Sequence, residues 1–140
     1  MTRIQAFFAF LLLPAPALAG GDFKVIVNAS VAEARLTARQ VSAFLLKDIT
    51  KWSDGRKVLP VDATSGSPLR ADFSRRVHGR SATAIKNYWL QQIFSGRDVP
   101  PPEKANEDEI VEYVRANPGA IGYVSTSRSS EGVKVLEVEP

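Results

Sequence analysis

The chain of 140 residues contains no cysteine, one methionine and one histidine. Without thiols there is no disulfide framework, no thiol nucleophile and no thiolate metal site. The lone histidine, His78, excludes a multi-histidine metal cluster and weakens any Ser/His catalytic scheme. Charge of one sign is also scarce, with 18 Lys and Arg against 15 Asp and Glu and a net charge of +3. That excess is too small to indicate nucleic acid, and the aromatic residues show no stacking periodicity among the basic ones. No apolar run reaches the ~20 residues needed to span a bilayer. There is no internal repeat and no long low-complexity segment.

What is present begins with a targeting signal. Met1-Thr2-Arg3 is a short basic region, Ile4–Leu13 is apolar apart from Gln5, and Ala17-Leu18-Ala19 gives a small-x-small cleavage pattern before Gly20. Residues 1–19 are therefore expected to be a cleavable signal peptide, which directs the chain to the periplasm. No cysteine stands at the cleavage point to carry a lipid. Residues 20–140 are long enough to bury one core and are expected to form a single domain.

Along that domain, strands alternate with capped helices. Phe23–Asn28 is a β-branched run closed by a turn-former. Thr37-Ala38-Arg39-Gln40 fits a capping box, and Val41, Phe44 and Leu45 then form an apolar helical stripe. Ile49–Trp52 leads into the turn Ser53-Asp54-Gly55, and Val58–Asp62 reads as a strand. Ser67 and Pro68 open a helix with Leu69, Phe73 and Val77 on one face, closed by His78-Gly79. Ser81 caps another, in which Ile85, Trp89 and Ile93 lie four apart. After a stiff connector containing Pro100-Pro101-Pro102, Asn106–Glu109 forms a capping box for a helix carrying Ile110, Val111 and Val114. Ala120–Ser125 and Val133–Val138 are strands around a polar turn. The pattern predicts an α/β fold with helices packed on a sheet.

The junction Ala63–Arg70 is the candidate binding site. Ser65, Gly66 and Ser67 put hydroxyls and free amides at a strand's carboxyl end and a helix start, where an anion is favoured. Arg70 lies in the helix's first turn, where the helix dipole disfavours a cation, so an anion nearby would offset that cost. The same residues also fit an ordinary Gly-Ser loop and Ser-Pro helix start.

Three segments in order, Ile49-Thr50-Lys51-Trp52 with Asp54-Gly55, Val61–Phe73, and Asn117–Val124 (N-P-G-A-I-G-Y-V), resemble the phosphate-binding proteins of bacterial ABC transporters, members of the periplasmic-binding-protein-like family. The resemblance covers nearly all of Phe23–Val138. It implies one lobe of a type II periplasmic-binding-protein-like fold, with a mixed sheet flanked by helices. Family members close two lobes on the anion, and only the second lobe and its entry strand have a counterpart here. Where the family reads Arg-Ser-Asp-Gly-Ser-Gly-Thr, with its Arg, Ser and Thr serving phosphate, this chain has Ala63 at the Arg position. Ser65 replaces the Asp, Gly66 and Ser67 are kept, and Pro68 and Leu69 follow. The resemblance thus implies phosphate or a related oxyanion at Ser65, Gly66 and Ser67, with Arg70 as a substitute for the missing guanidinium. It also implies a role in, or accessory to, ABC-type phosphate uptake. The partners would be a permease, and another protein or a second copy supplying the missing lobe.

Other candidates are weaker. His78, beside Gly79, fits a C-terminal cap or dipole partner. Arg70, Arg75, Arg76 and Arg80 fit either a solvated face, a guide for anions, or a docking patch for an acidic partner. The acidic residues Glu103–Glu112 lie at a helix start and show no metal-ligand spacing. No nucleophile–base–orienter set assembles, so the chain reads as a non-enzyme with no cofactor. A competing expectation is an exported interaction module that kept the lobe and lost its ligand.

Overall fold

A computed structural model describes residues 23–140, and the expected signal peptide at 1–19 lies outside them. Its elements are β1 (Phe23–Asn28), β2 (Arg35–Thr37), α1 (Ala38–Leu45), β3 (Leu59–Pro60), β4 (Asp62–Ala63), α2 (Pro68–Phe73), α3 (Ala82–Phe94), β5 (Glu103–Lys104), α4 (Glu107–Ala116), β6 (Ala120–Ser125) and β7 (Val133–Glu139). The main sheet has the order β2-β7-β1-β6-β3, and β4 and β5 form a separate parallel ribbon. Strand β1 runs antiparallel to both β6 and β7, whereas β2 follows β7 and β3 follows β6 in parallel. This is the mixed α/β architecture expected. No helix among the described residues is long and apolar enough to cross a membrane.

The helix starts follow from local chemistry. Thr37 accepts from the Gln40 amide while the Gln40 side chain accepts from the Thr37 amide, completing the capping box. Ser67 and Ser81 cap α2 and α3 by accepting from Arg70 and Ala84. In α4 only half of the expected box forms. Asn106 accepts from the Glu109 amide, but Glu109 reaches back to the Ala105 amide instead. Helix α2 runs on into a wider π turn over Ser74–His78 and stops at Gly79, whose φ of 67° is the left-handed helix-ending conformation.

Strand β6 is the buried centre. Its residues alternate between faces, so Gly122 meets α4 while Tyr123 meets α2. A Cβ added at Gly122 would lie 2.7 Å from Val61 and 3.0 Å from Ile110, which explains a glycine under the helix. On the other face, Tyr123 stacks on Phe73 at 3.7 Å between ring centroids, and Phe23 packs edge-on against both. Trp52 is buried and donates to the Gly119 carbonyl at 2.9 Å, tying the Trp52–Gly55 turn to the start of β6.

Three expectations need correction. The strand expected over Val58–Asp62 is divided: the Val61 amide bonds β6 through Ile121, but the Asp62 amide bonds Pro102, and the chain crosses to β5. The third residue of the expected α3 stripe, Ile93, is exposed although Ile85 and Trp89 are buried. His78 is also no cationic dipole partner. Its Nδ1 lies 2.7 Å from the Ser42 hydroxyl, and burial, with Arg80 and Arg70 nearby, lowers its pKa to about 4.

Two outcomes follow. Gly122→Ala should lower stability by about 1–3 kcal/mol through overpacking, read as a denaturant midpoint. His78 is held neutral when folded but ionises near 6.5 when unfolded. Its contribution is therefore complete above that value and is lost as pH falls from about 6.5 to about 4. The span corresponds to at most about 3 kcal/mol. His78→Gln should reduce the acid sensitivity of the melting midpoint across that window; an unchanged profile would contradict the assignment.

Candidate functional site

Four segments meet at the carboxyl ends of β4 and β6. They are the Ala63–Leu69 junction, Lys104–Glu107 at the start of α4, Ile110 one turn further on, and the Ser125–Arg128 turn. Together they enclose an open cavity of about 420 Å³. Ala63, Ser67 and Leu69 all line it. These are the positions at which the resemblance placed the phosphate-serving Arg, Ser and Thr, so the wall is kept while two of its three groups have become apolar. Polar groups enter instead from Thr64, Lys104, Ser125 and Arg128.

The charged lining is two cations, Lys104 and Arg128, against one carboxylate, Glu107. Glu107 accepts from the Ser125 amide, and its other oxygen lies 3.3 Å from Arg128. Although burial acts to raise its pKa, these hydrogen bonds hold Glu107 below the ordinary carboxylate value. Arg128 also reaches Asp108 at 2.9 Å. The Lys104 ammonium rests over the Tyr113 ring at 5.3 Å and forms no ion pair among the described residues. Tyr113 lines a neighbouring hollow with Glu109 and Glu112, so the ammonium is directed there while the rest of Lys104 contributes to the cavity wall.

Of the expected site residues, Ser67 alone lines the cavity. Ser65, Gly66 and Arg70 do not. Along the β4–β5 ribbon successive residues face opposite sides, so Ala63 and Lys104 line the cavity whereas Asp62 and Glu103 turn away from it. Arg70 follows them. It is only 5% exposed, and its guanidinium donates to the Ala63 carbonyl at 3.1 Å, to the Ser65 hydroxyl at 3.3 Å and to Glu103. Its second nitrogen lies 3.5 Å from the buried Asp62 carboxylate. The negative group that offsets the dipole cost at Arg70 is thus supplied by the protein. Burial alone would lower the Arg70 pKa, but Asp62 and Glu103 hold it above the ordinary value.

Asp62 also accepts from the Tyr123 hydroxyl and, at 3.0 Å, from the Ala63 amide. Burial pushes the Asp62 carboxyl up, while Arg70 and these donors pull against it. Burial and the Asp62 charge push the Tyr123 hydroxyl far above its ordinary value, so it remains a donor. The expected basic face loses a member as well: Arg75, Arg76 and Arg80 are exposed, but Arg70 is inside. Among the described residues no group of His, Asp and Glu side chains could hold a metal ion.

Lys104, Ser125 and Arg128 were missed as site residues by sequence reasoning. The only available signal for Ser125 was its place at the end of a strand sharing direction with β3.

A cavity at the carboxyl ends of β4 and β6 is where α/β proteins place their ligands, and the fold is that of a binding lobe. Residues 17–137 match the family model described as the PBP superfamily domain, and the chain belongs to that family. No curated protein matches the sequence. Among solved structures, similarity extends to a Clostridium perfringens protein named for phosphate ABC-transporter substrate binding and solved with phosphate bound. It shares 22% identity at a TM-score of 0.68, over 84% of this chain and 44% of that one. An ABC-type phosphate transport receptor from Vibrio cholerae gives 17% identity and a TM-score of 0.66, over 84% and 46%. PstS from Borrelia burgdorferi gives 18% and 0.60, over 84% and 47%. The chain therefore spans less than half the length of these proteins, and at such identities the likeness establishes the fold.

Arg70→Met, which strands the buried Asp62 without its counter-charge, should cost about 3–5 kcal/mol. Arg75→Ala, which removes only a surface pair with Asp72, should change stability by less than about 1 kcal/mol. Equal effects in chemical denaturation would contradict the structural role of Arg70.

Proposed function

We propose that this chain is a half-receptor for phosphate or a related oxyanion, exported and accessory to ABC-type uptake. It holds the anion weakly in the 420 Å³ cavity until a second lobe, from another protein or a second copy, closes over it. The observation that carries this reading is the convergence of Ser67, Thr64, Ser125 and Arg128, with Glu107 as Arg128's partner, on one cavity at the strand ends. In this reading Ser67 donates its hydroxyl, and Arg128, giving up part of its pairing with Glu107 and Asp108, supplies the charge that Ala63 no longer provides. Ser65, Gly66 and Arg70 shape the loop, with Arg70 holding it from the opposite side of the ribbon. A site open on one side leaves the anion largely hydrated, which keeps affinity low until closure. Nothing in the arrangement calls for a reaction, and the role is binding rather than catalysis.

A second reading, an interaction module that has lost its ligand, draws support from the apolar Ala63 and Leu69 and from the internal neutralisation of Arg70. Its docking face would be Arg75, Arg76 and Arg80, directed at an acidic partner.

Thermal melts with and without millimolar phosphate at constant ionic strength separate the two. A ligand at a hundred times its Kd adds about 2.7 kcal/mol. The half-receptor reading expects a raised midpoint that Ser67→Asp abolishes, since that change keeps an N-cap acceptor but sets a negative charge in the cavity. No phosphate response in the unaltered chain would favour the interaction module.

A further inference from the structure

Glu107 lines the cavity beside Ser125 and Arg128, and both of its carboxylate oxygens are engaged there. One accepts from the Ser125 amide at the end of β6, and the other lies 3.3 Å from the Arg128 guanidinium. A backbone N–H and a guanidinium hold phosphate oxygens by the same charge-assisted bonds with which they hold a carboxylate. The cavity therefore already contains a filled oxyanion subsite, and its occupant belongs to the chain.

The start of α4 does not by itself account for this placement. A carboxylate in the first turn is favoured by the helix dipole, but that turn holds Asp108 and Glu109 as well. Asp108 also reaches Arg128, at 2.9 Å, from a side chain that is 79% exposed and outside the cavity lining. What Glu107 alone adds is a carboxylate inside the cavity, its side chain only 22% exposed. Burial acts to raise its pKa, yet the bonds from Ser125 and Arg128 hold it below the ordinary value and so keep it charged.

Resting on the half-receptor reading, we infer that the Ser125 amide and the Arg128 guanidinium form the oxyanion's subsite, and that Glu107 is a tethered competitor for it. An incoming oxyanion takes these two donors, and the Glu107 carboxylate is displaced into the open side of the cavity. Apparent affinity is then the intrinsic affinity reduced by the fraction of chains in which Glu107 has left the donors. A carboxylate seated for about nine-tenths of the time weakens binding about tenfold.

The test titrates the full chain with inorganic phosphate at constant pH and ionic strength, by calorimetry, beside Glu107→Gln and Asp108→Asn. Glu107→Gln keeps the shape and a carbonyl acceptor for the Ser125 amide but frees Arg128, and should tighten phosphate binding about tenfold. Asp108→Asn removes the same charge from the same arginine outside the cavity, and should tighten it about twofold or less. In the unaltered chain the Glu107 carboxyl carbon resonance should move as phosphate saturates, with the same Kd. That signal needs no variant, so the inference stays open to test even where Glu107→Gln fails to fold. Phosphate binding with no gain in Glu107→Gln, an equal gain in Asp108→Asn, or an unmoved Glu107 resonance overturns the inference and leaves the half-receptor reading standing. If neither the unaltered chain nor Glu107→Gln takes up phosphate, both fall.

Discussion

The buried guanidinium of Arg70 is the interaction on which the rest of the site depends. It joins α2 to β4 through Asp62 and the Ala63 carbonyl, and to β5 through Glu103. Through Asp62 it also engages Tyr123 and hence β6. An arginine so enclosed costs desolvation, and each acceptor around it is needed to offset that cost. The consequence is geometric. With Asp62, Glu103 and Arg70 drawn to one side of the β4–β5 ribbon, Ala63 and Lys104 are turned to the other. There they meet Ser67, Ser125 and Arg128.

This arrangement separates two roles that one loop could have combined. The Ser-Gly-Ser junction builds a helix start, with Ser67 as cap, and presents that residue to the cavity as well. The arginine three residues later is structural. The charged groups of the cavity wall come from elsewhere, since Arg128 and Glu107 are distant from this loop in sequence but pair with each other at the opening. The N-P-G-A-I-G-Y-V segment is accounted for in the same terms. Gly119 turns with φ +85° under the Trp52 indole, Gly122 leaves room for α4, and Tyr123 donates to Asp62. Each constrained position is explained by a contact that only that residue type makes.

Much of the fold was legible because its signals are local. Thr37 with Gln40, Ser81, and Ser67 with Pro68 each mark a helix start through a bond closed within a few residues. The β-branched run of β1 similarly marks a strand, and β1 and β6 are each buried over at least four successive residues, as strands covered on both faces are. Strands β2 and β5 were not legible, since two or three residues carry no period and both depend on pairing with β7 or β4. The site was legible only in part. Ser67 could be placed at a helix start, but nothing near Arg70 in sequence announces that Glu103, 33 residues later, closes on it. Lys104 and Arg128 look like ordinary polar residues of a connector and a turn until β5 and β6 bring them to the same opening.

The central claim is that this opening, and not the exposed arginines after α2, is where an oxyanion binds. The most direct measurement is a phosphate titration of the isotope-labelled chain followed by amide resonances. The account predicts saturable shifts concentrated at Thr64, Ser67, Leu69, Lys104 to Glu107 and Ser125 to Arg128, with Arg75, Arg76 and Arg80 unmoved. Shifts centred on those three arginines, or none that saturate, would contradict it.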